Sequence, residues 1–206
     1  MSGRFSSGKY CFVLTVSLLI SATVQAIDTE YFGELIFDHQ RKGELLPDIY
    51  RINSNLDERS LYDIQHAYVA LRLNAGDVIG GYKGGFIPKA PVGGVLFGGN
   101  KMLRGSPSIR QKDFSLLVVE AEVGFKFCEP VTSPIETITA LKNYVCEIMP
   151  VIEIADGAIA DFGEVKKDFK HLRNTLISIN VASSHTLLGD AVETDIDLSL
   201  MPVAMN

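Results

Sequence analysis

Tryptophan is absent from this chain of 206 residues, cysteine occurs three times and histidine four. Three cysteines cannot build the dense disulfide frame of a small scaffold, so the fold must rest on an apolar core, for which 47% hydrophobic residues is ample. His39, His66, His171 and His185 lack the spacing of a zinc pair or of a nucleophile's partner, and no serine sits in a nucleophile-elbow motif. Both observations argue against hydrolysis by a triad. The glycine-rich runs have neither the Walker spacing nor a GxGxxG turn, so they are not phosphate loops. Positive charge is scarce: 19 Lys and Arg stand against 25 Asp and Glu, a formal net charge of -6. An acidic body disfavours nucleic acid or an anionic membrane as partner.

Long hydrophobic runs are also missing. The apolar stretch Cys11 to Val24 falls short of the roughly 20 strongly apolar residues of a membrane span. With Arg4 and Lys9 before it and Val24-Gln25-Ala26 after it, residues 1–26 read as a secretory signal peptide, an uncleaved anchor being the alternative. The expectation is an exported, periplasmic protein with no stable membrane span after cleavage, or a cytoplasmic one if the N-terminus is not a working signal. Cys11 leaves with the signal. Cys128 and Cys146 then meet an oxidising compartment, where they can pair if packing allows; a core of this size predicts two buried free thiols instead.

Residues 27–76 predict an N-terminal helical layer. Asp28 or Thr29 caps a helix carrying Phe32, Leu35 and Ile36, with Gly43 past its end, and Leu45-Leu46-Pro47 follows as an extended connector. Asp57 caps a second helix with Leu61, Ile64, Tyr68 and Leu71 on one side and Gly76 at its stop. Residues 77–206 form a second unit of strands and tight turns. Lys83 lies in a strand from Val78 to Phe86 among Gly80, Gly81, Gly84 and Gly85; it is either an exposed solubilising residue or a cation aimed at an anion, and position alone favours exposure.

Leu116 to Phe127 predicts one long strand. Val119, Ala121, Val123, Phe125 and Phe127 share one face, and Glu120, Glu122, Gly124 and Lys126 the other. The two acids are then about 6.7 Å apart, close enough to share a hard cation, although alternating Glu also suits a solvated face. Ser133-Pro134-Ile135-Glu136 predicts a helix start, with Ile138, Leu141, Val145 and Ile148 at helical spacing and Pro150 closing the run. Val151-Ile152-Glu153-Ile154-Ala155 is then a short apolar strand holding a third carboxylate. An unpaired Glu there is costly, and a cation shared with Glu120 and Glu122 offsets it. Phe169 to Leu176 has no clear period, and Asp195 to Met205 alternates like a last strand.

Together these stretches resemble the 2-oxopent-4-enoate hydratases (2-keto-4-pentenoate hydratases) and the related 4-oxalocrotonate decarboxylases of the fumarylacetoacetate hydrolase superfamily. The likeness lies in Glu120-Ala121-Glu122-Val123-Gly124-Phe125, Glu153-Ile154-Ala155-Asp156 and Gly80-Gly81-Tyr82-Lys83-Gly84-Gly85. It extends to Asp63-Ile64-Gln65 with Ala67-Tyr68 and to Asn180 through Gly189, in matching order from the first helix onward. The resemblance implies an α+β fold, a mixed β-sheet roll with flanking helices, here shortened at its C-terminus. It implies Mg²⁺ or Mn²⁺ held by Glu120, Glu122 and Glu153, with Asp156 beside them. Lys83 would face the substrate carboxylate as binding and catalytic residue, with Asn180 and Ser183 near the pocket. The implied activity is a hydro-lyase on a small 2-oxo or 2-hydroxydienoate acid, in a homo-oligomer; decarboxylation, carbon–carbon hydrolysis or a degenerate binding subunit are the alternatives. The pattern departs at Val92, where the family often has Asp, at Ala158 in place of Arg, and at Ile179 in place of Asp.

Overall fold

A computed structural model describes residues 27–87 and 90–192; the expected signal segment and the expected last strand lie outside them. Helix α1 (Thr29–Lys42) starts where Asp28 accepts a bond from the Tyr31 N–H at 2.9 Å, and stops at Gly43 in the left-handed conformation. After the short α2 (Ile49–Ile52), α3 (Glu58–Asn74) is capped by Asp57 through the Ser60 N–H at 2.8 Å. Helices α1 and α3 cross closely because Gly33 has no side chain: a Cβ there would lie 2.7 Å from the Ala67 Cβ. Ile36, Ile49, Leu61 and Ile64 are fully buried in the resulting layer.

The β-structure has two parts. Strands β1 (Ile79–Phe86) and β2 (Pro91–Phe97) form an antiparallel hairpin in which Lys83 pairs with Gly94. A second, four-stranded sheet runs in the order β3 (Met102–Arg104), β6 (Ser183–Leu188), β5 (Val145–Asp156), β4 (Leu117–Phe127). Its β3–β6 pair is parallel and the others antiparallel, so the sheet is mixed and the class α+β. The inner side of the hairpin packs with the helices: Val92, Val95 and Phe97 join Ile177 and Ile179 in the core.

The segment after β4 departs from the helical reading. Only a five-residue helix, α4 (Ile138–Lys142), forms, and its cap is Thr137, which accepts from the Ala140 N–H at 3.1 Å. Val145 and Ile148, spaced as if on a helix, instead begin β5, because the β4–β5 ladder continues to Phe127↔Val145. Pro150 does not end the element. On the β6 side the pairing steps from Ile148↔Val192 to Val151↔Leu188, three residues against four, and Pro150 falls in that irregular step. The Pro150 carbonyl still accepts from the Gly189 N–H at 2.9 Å.

One further expectation is corrected, and one unassigned segment takes shape. Cys128 and Cys146 are joined in a disulfide with 5.8 Å between their Cα atoms, not left as buried free thiols. They sit at the far end of the β4–β5 hairpin, where ladder pairing brings the backbones together and core packing is absent. After the short helix α5 (Phe162–Val165), the segment without a clear period is helix α6 (Phe169–Ser178), capped by Asp168. Its buried side includes Asn174, Thr175 and Ser178, so polarity masks the stripe that marks most helices. Among the described residues strand β4 is the outer edge of its sheet, with Val119, Val123, Phe125 and Phe127 exposed on one face.

Candidate metal centre

The second face of β4 carries Glu120 and Glu122. In the β4–β5 register Glu120 pairs directly with Glu153 and Glu122 with Val151, so all three acids project on the same side of the sheet. Each contributes a carboxylate oxygen to a group whose members lie within 4.8 Å of one another. Glu120 and Glu122 are exposed, whereas Glu153 is 6% exposed. A set of three hard oxygen donors with one open side is the chemistry that Mg²⁺ and Mn²⁺ prefer, and the residues fit such an ion.

Burial pushes the Glu153 carboxyl above its ordinary range, the Lys83 ammonium pulls it back, and the charges of Glu120 and Glu122 push it up again. Lys83 is not the exposed residue its position suggests. Its Nζ donates to Glu153 Oε1 and, at 3.1 Å, to the Val181 carbonyl, and its side chain keeps only 13% of its exposure.

The Val181 carbonyl is aimed by a strained turn. Asn180, Val181 and Ala182 all have positive φ, at 56°, 53° and 54°, a region that β-branched residues avoid. Asn180 holds the turn like an extra strand partner: its Oδ1 accepts from the Val95 N–H at 2.7 Å and its Nδ2 donates to the Val95 carbonyl at 2.9 Å. Gly94 makes room, since a Cβ there would stand 3.0 Å from Asn180 Oδ1. Because Gly94 is the β-partner of Lys83, this approach brings the turn and the lysine together.

The structure therefore unites Lys83 with Glu120, Glu122 and Glu153, and places three other expected residues elsewhere. The Asn180 amide is 1% exposed and occupied by Val95, so it braces the turn that carries the Val181 carbonyl. Asp156 lies on the opposite sheet face, three residues beyond Glu153, where its carboxylate accepts from the Ser115 and Leu116 N–H groups at 3.2 and 2.9 Å. It fixes the entry to β4. Ser183 is buried at the start of β6, paired with Ala155. Residues not foreseen are the Val181 carbonyl and Thr186, buried directly across β6 from Glu153. Neither carries a signal in sequence, because one is backbone and the other an ordinary strand residue. The departures Val92, Ala158 and Ile179 are all buried apolar positions.

No protein-family model matches the chain, and no curated protein sequence matches it. Solved structures do match in shape, among them two of one enzyme. One is 4-oxalocrotonate decarboxylase from Pseudomonas putida G7 complexed with magnesium and adipate, at TM-score 0.71 and 15% identity over 82% of this chain and 66% of that one. The other is the same enzyme complexed with calcium and acetate, at TM-score 0.70 and 15% identity over 82% of this chain and 65% of that one. The chain thus spans about two thirds of the length of these neighbours, and over that span it has the fold of the decarboxylases its sequence resembles.

Proposed function

We propose that this chain is a divalent-metal-dependent enzyme of the fumarylacetoacetate hydrolase superfamily, a hydro-lyase that adds water to a small 2-hydroxy-2,4-dienoate or 2-oxo-4-enoate acid. The observation that carries this reading is the convergence of Glu120, Glu122 and Glu153 within 4.8 Å beside a largely covered lysine. The magnesium and the small acid bound in the structural neighbour support it. When bound, Mg²⁺ or Mn²⁺ would supply Lewis acidity at the 2-oxygen of the acid.

The chain's own groups divide the remaining work. Glu120, Glu122 and Glu153 hold the ion, with Glu153 set by its place in the middle of the sheet. Lys83 favours the ionised form of Glu153 through their ion pair and stands beside the centre, suited to receive a substrate carboxylate or to pass a proton. Val181 and, through it, Asn180 hold the lysine in place.

Decarboxylation of a 2-oxo acid is the second reading, favoured by the activity of the structural neighbours. The buried apolar Val92, Ala158 and Ile179 favour a third, a binding subunit without activity. Residues 1–26 and the exposed disulfide support export to an oxidising compartment. The family resemblance of the sequence supports assembly into a homo-oligomer. The test is Mg²⁺ or Mn²⁺ titration followed by turnover of 2-hydroxypenta-2,4-dienoate, read as metal-dependent loss of dienol absorbance. Release of CO₂ from a 2-oxo diacid without dienol hydration moves the assignment to decarboxylase, and metal binding without either reaction moves it to binding subunit.

A further inference from the structure

The sheet face turned away from the carboxylates borders a cleft of about 920 Å³, within the size range of small-molecule sites. Side chains alternate along β5 and β6, so Ile154, Asp156 and His185 lie on this face while Glu153 and Thr186 lie on the other. None of the four residues of the metal centre lines it.

Its charge is unbalanced. Three acids line the cleft and each is already engaged: Arg72 holds Asp77, Arg110 holds Asp113 at 3.0 Å, and two backbone N–H groups hold Asp156. Arg41, Lys101 and Lys112 also line it, and among the described residues none has a carboxylate within ion-pair distance. In a chain of net charge -6 this is a local excess of the opposite sign.

Lys101 and His185 give the excess a focus. Lys101 Nζ is 3.3 Å from His185 Nε2, and His185 Nδ1 is 2.8 Å from Ser184 Oγ. Burial, then the charge of Arg72, disfavours the protonated form of Lys101, with Asp77 opposing; burial, then Lys101 and Arg72, does the same to His185. An anion seated at these nitrogens relieves both. The remaining lining is apolar, with Phe37, Leu103 and Ile109, and the Phe114 ring stands 5.9 Å from His185 in an edge-on contact.

We propose that this cleft binds a small organic anion, a carboxylate on an apolar body, with Lys101 and His185 at the carboxylate and Phe37 and Phe114 along the body. The test is calorimetric titration of benzoate into the full chain after EDTA treatment, which removes any metal that could chelate the ligand. Saturable binding is expected, weakened about tenfold in each of Lys101→Gln and His185→Phe and unchanged in Glu122→Gln. Inorganic phosphate, which lacks an apolar body, is expected to bind at least about tenfold more weakly than benzoate. Absence of saturation, an affinity unchanged from the parent in either cleft variant, or phosphate binding as tightly as benzoate overturns the proposal. A second measurement is independent of whether the variants fold: benzoate should slow trinitrobenzenesulfonate labelling of Lys101 in the unmutated chain, and an unchanged labelling rate overturns it equally.

Discussion

Glu120 and Glu153 face each other as a directly opposed pair across the β4–β5 ladder. Like charges so placed repel, and one of the two is buried. The arrangement lowers stability unless a cation compensates it. In the structure that cation is Lys83, and the proposed metal ion would be a second.

Removing one ligand should therefore act on metal before it acts on fold. Glu122 is exposed, so Glu122→Gln is predicted to leave the melting curve of the metal-free protein unchanged or slightly improved. Mg²⁺ affinity should fall by on the order of 100-fold, the upper end of what loss of a mere supporting partner costs a metal site. Titration calorimetry checks both halves, and an unchanged affinity refutes the ligand assignment.

Lys83→Met leaves Glu153 buried beside two acids without its ion-pair partner. The metal-free variant is predicted to lose about 3 kcal/mol in urea unfolding, the cost of breaking a buried pair from one side. Saturating Mg²⁺ should restore more stability to the variant than it adds to the parent, since the ion takes over the compensation of Glu153. Equal stabilisation of both proteins would falsify the link between Lys83 and the metal centre.

The pH dependence follows from Glu153. Its folded carboxyl lies above the ordinary 4.5, so on acidification the metal-free native state takes the proton before the unfolded chain does. This one group therefore favours the native state increasingly as pH falls from above its folded value toward 4.5, and metal binding must displace that proton. Mg²⁺ affinity is predicted to start falling above pH 4.5, and to start at still higher pH in Lys83→Met, because Lys83 opposes the upward shift. Titrations across that range would show it; a flat affinity down to 4.5 contradicts it.

Asn180→Ala removes both bonds to Val95 and leaves a buried N–H and carbonyl without partners. A loss of about 2 kcal/mol is predicted, the scale for unsatisfied buried groups. Release of the turn should also free Lys83 from Val181, so the Mg²⁺ affinity should change in Asn180→Ala although Asn180 touches no ligand. Stability loss with an unaltered affinity would mean that the turn does not brace the site.

The disulfide closes a loop with a sequence separation of 18, for which chain entropy gives about 3 kcal/mol. Cys146→Ser is predicted to lose stability on that scale, and dithiothreitol to destabilise the parent but not the variant. Denaturation curves with and without reductant decide it.

Where sequence patterns and tertiary pairing agreed, the chain was readable. The alternation of β4 puts Glu120 and Glu122 on one face, and Glu153 stands out as a charge in an apolar run; the ladder then unites them. Where a local pattern competed with pairing, pairing won. Val145 and Ile148 fit a helical spacing, yet the antiparallel ladder claims both. The α6 helix was hidden because it packs through Asn174, Thr175 and Ser178, a polar surface satisfied by bonds such as Thr175 to Asp48 at 3.2 Å. The burial of Lys83 depends on Glu153, 70 positions away, and on a backbone carbonyl, neither of which composition reveals. The bracing by Asn180 is hidden for the same reason: its partner is the main chain of β2.

Strand β4 supplies two of the three carboxylates from the margin of the sheet that the described residues form, and it is fastened at both extremities. Asp156 grips the residues that lead into it, and the cysteine bridge clamps the ladder where it ends. Fraying from an outer strand is the cheapest local opening a sheet allows. A thiol reagent, added as routine protection during purification, would thus slacken the mooring of Glu120 and Glu122 and blunt the affinity of the centre without ever reaching it.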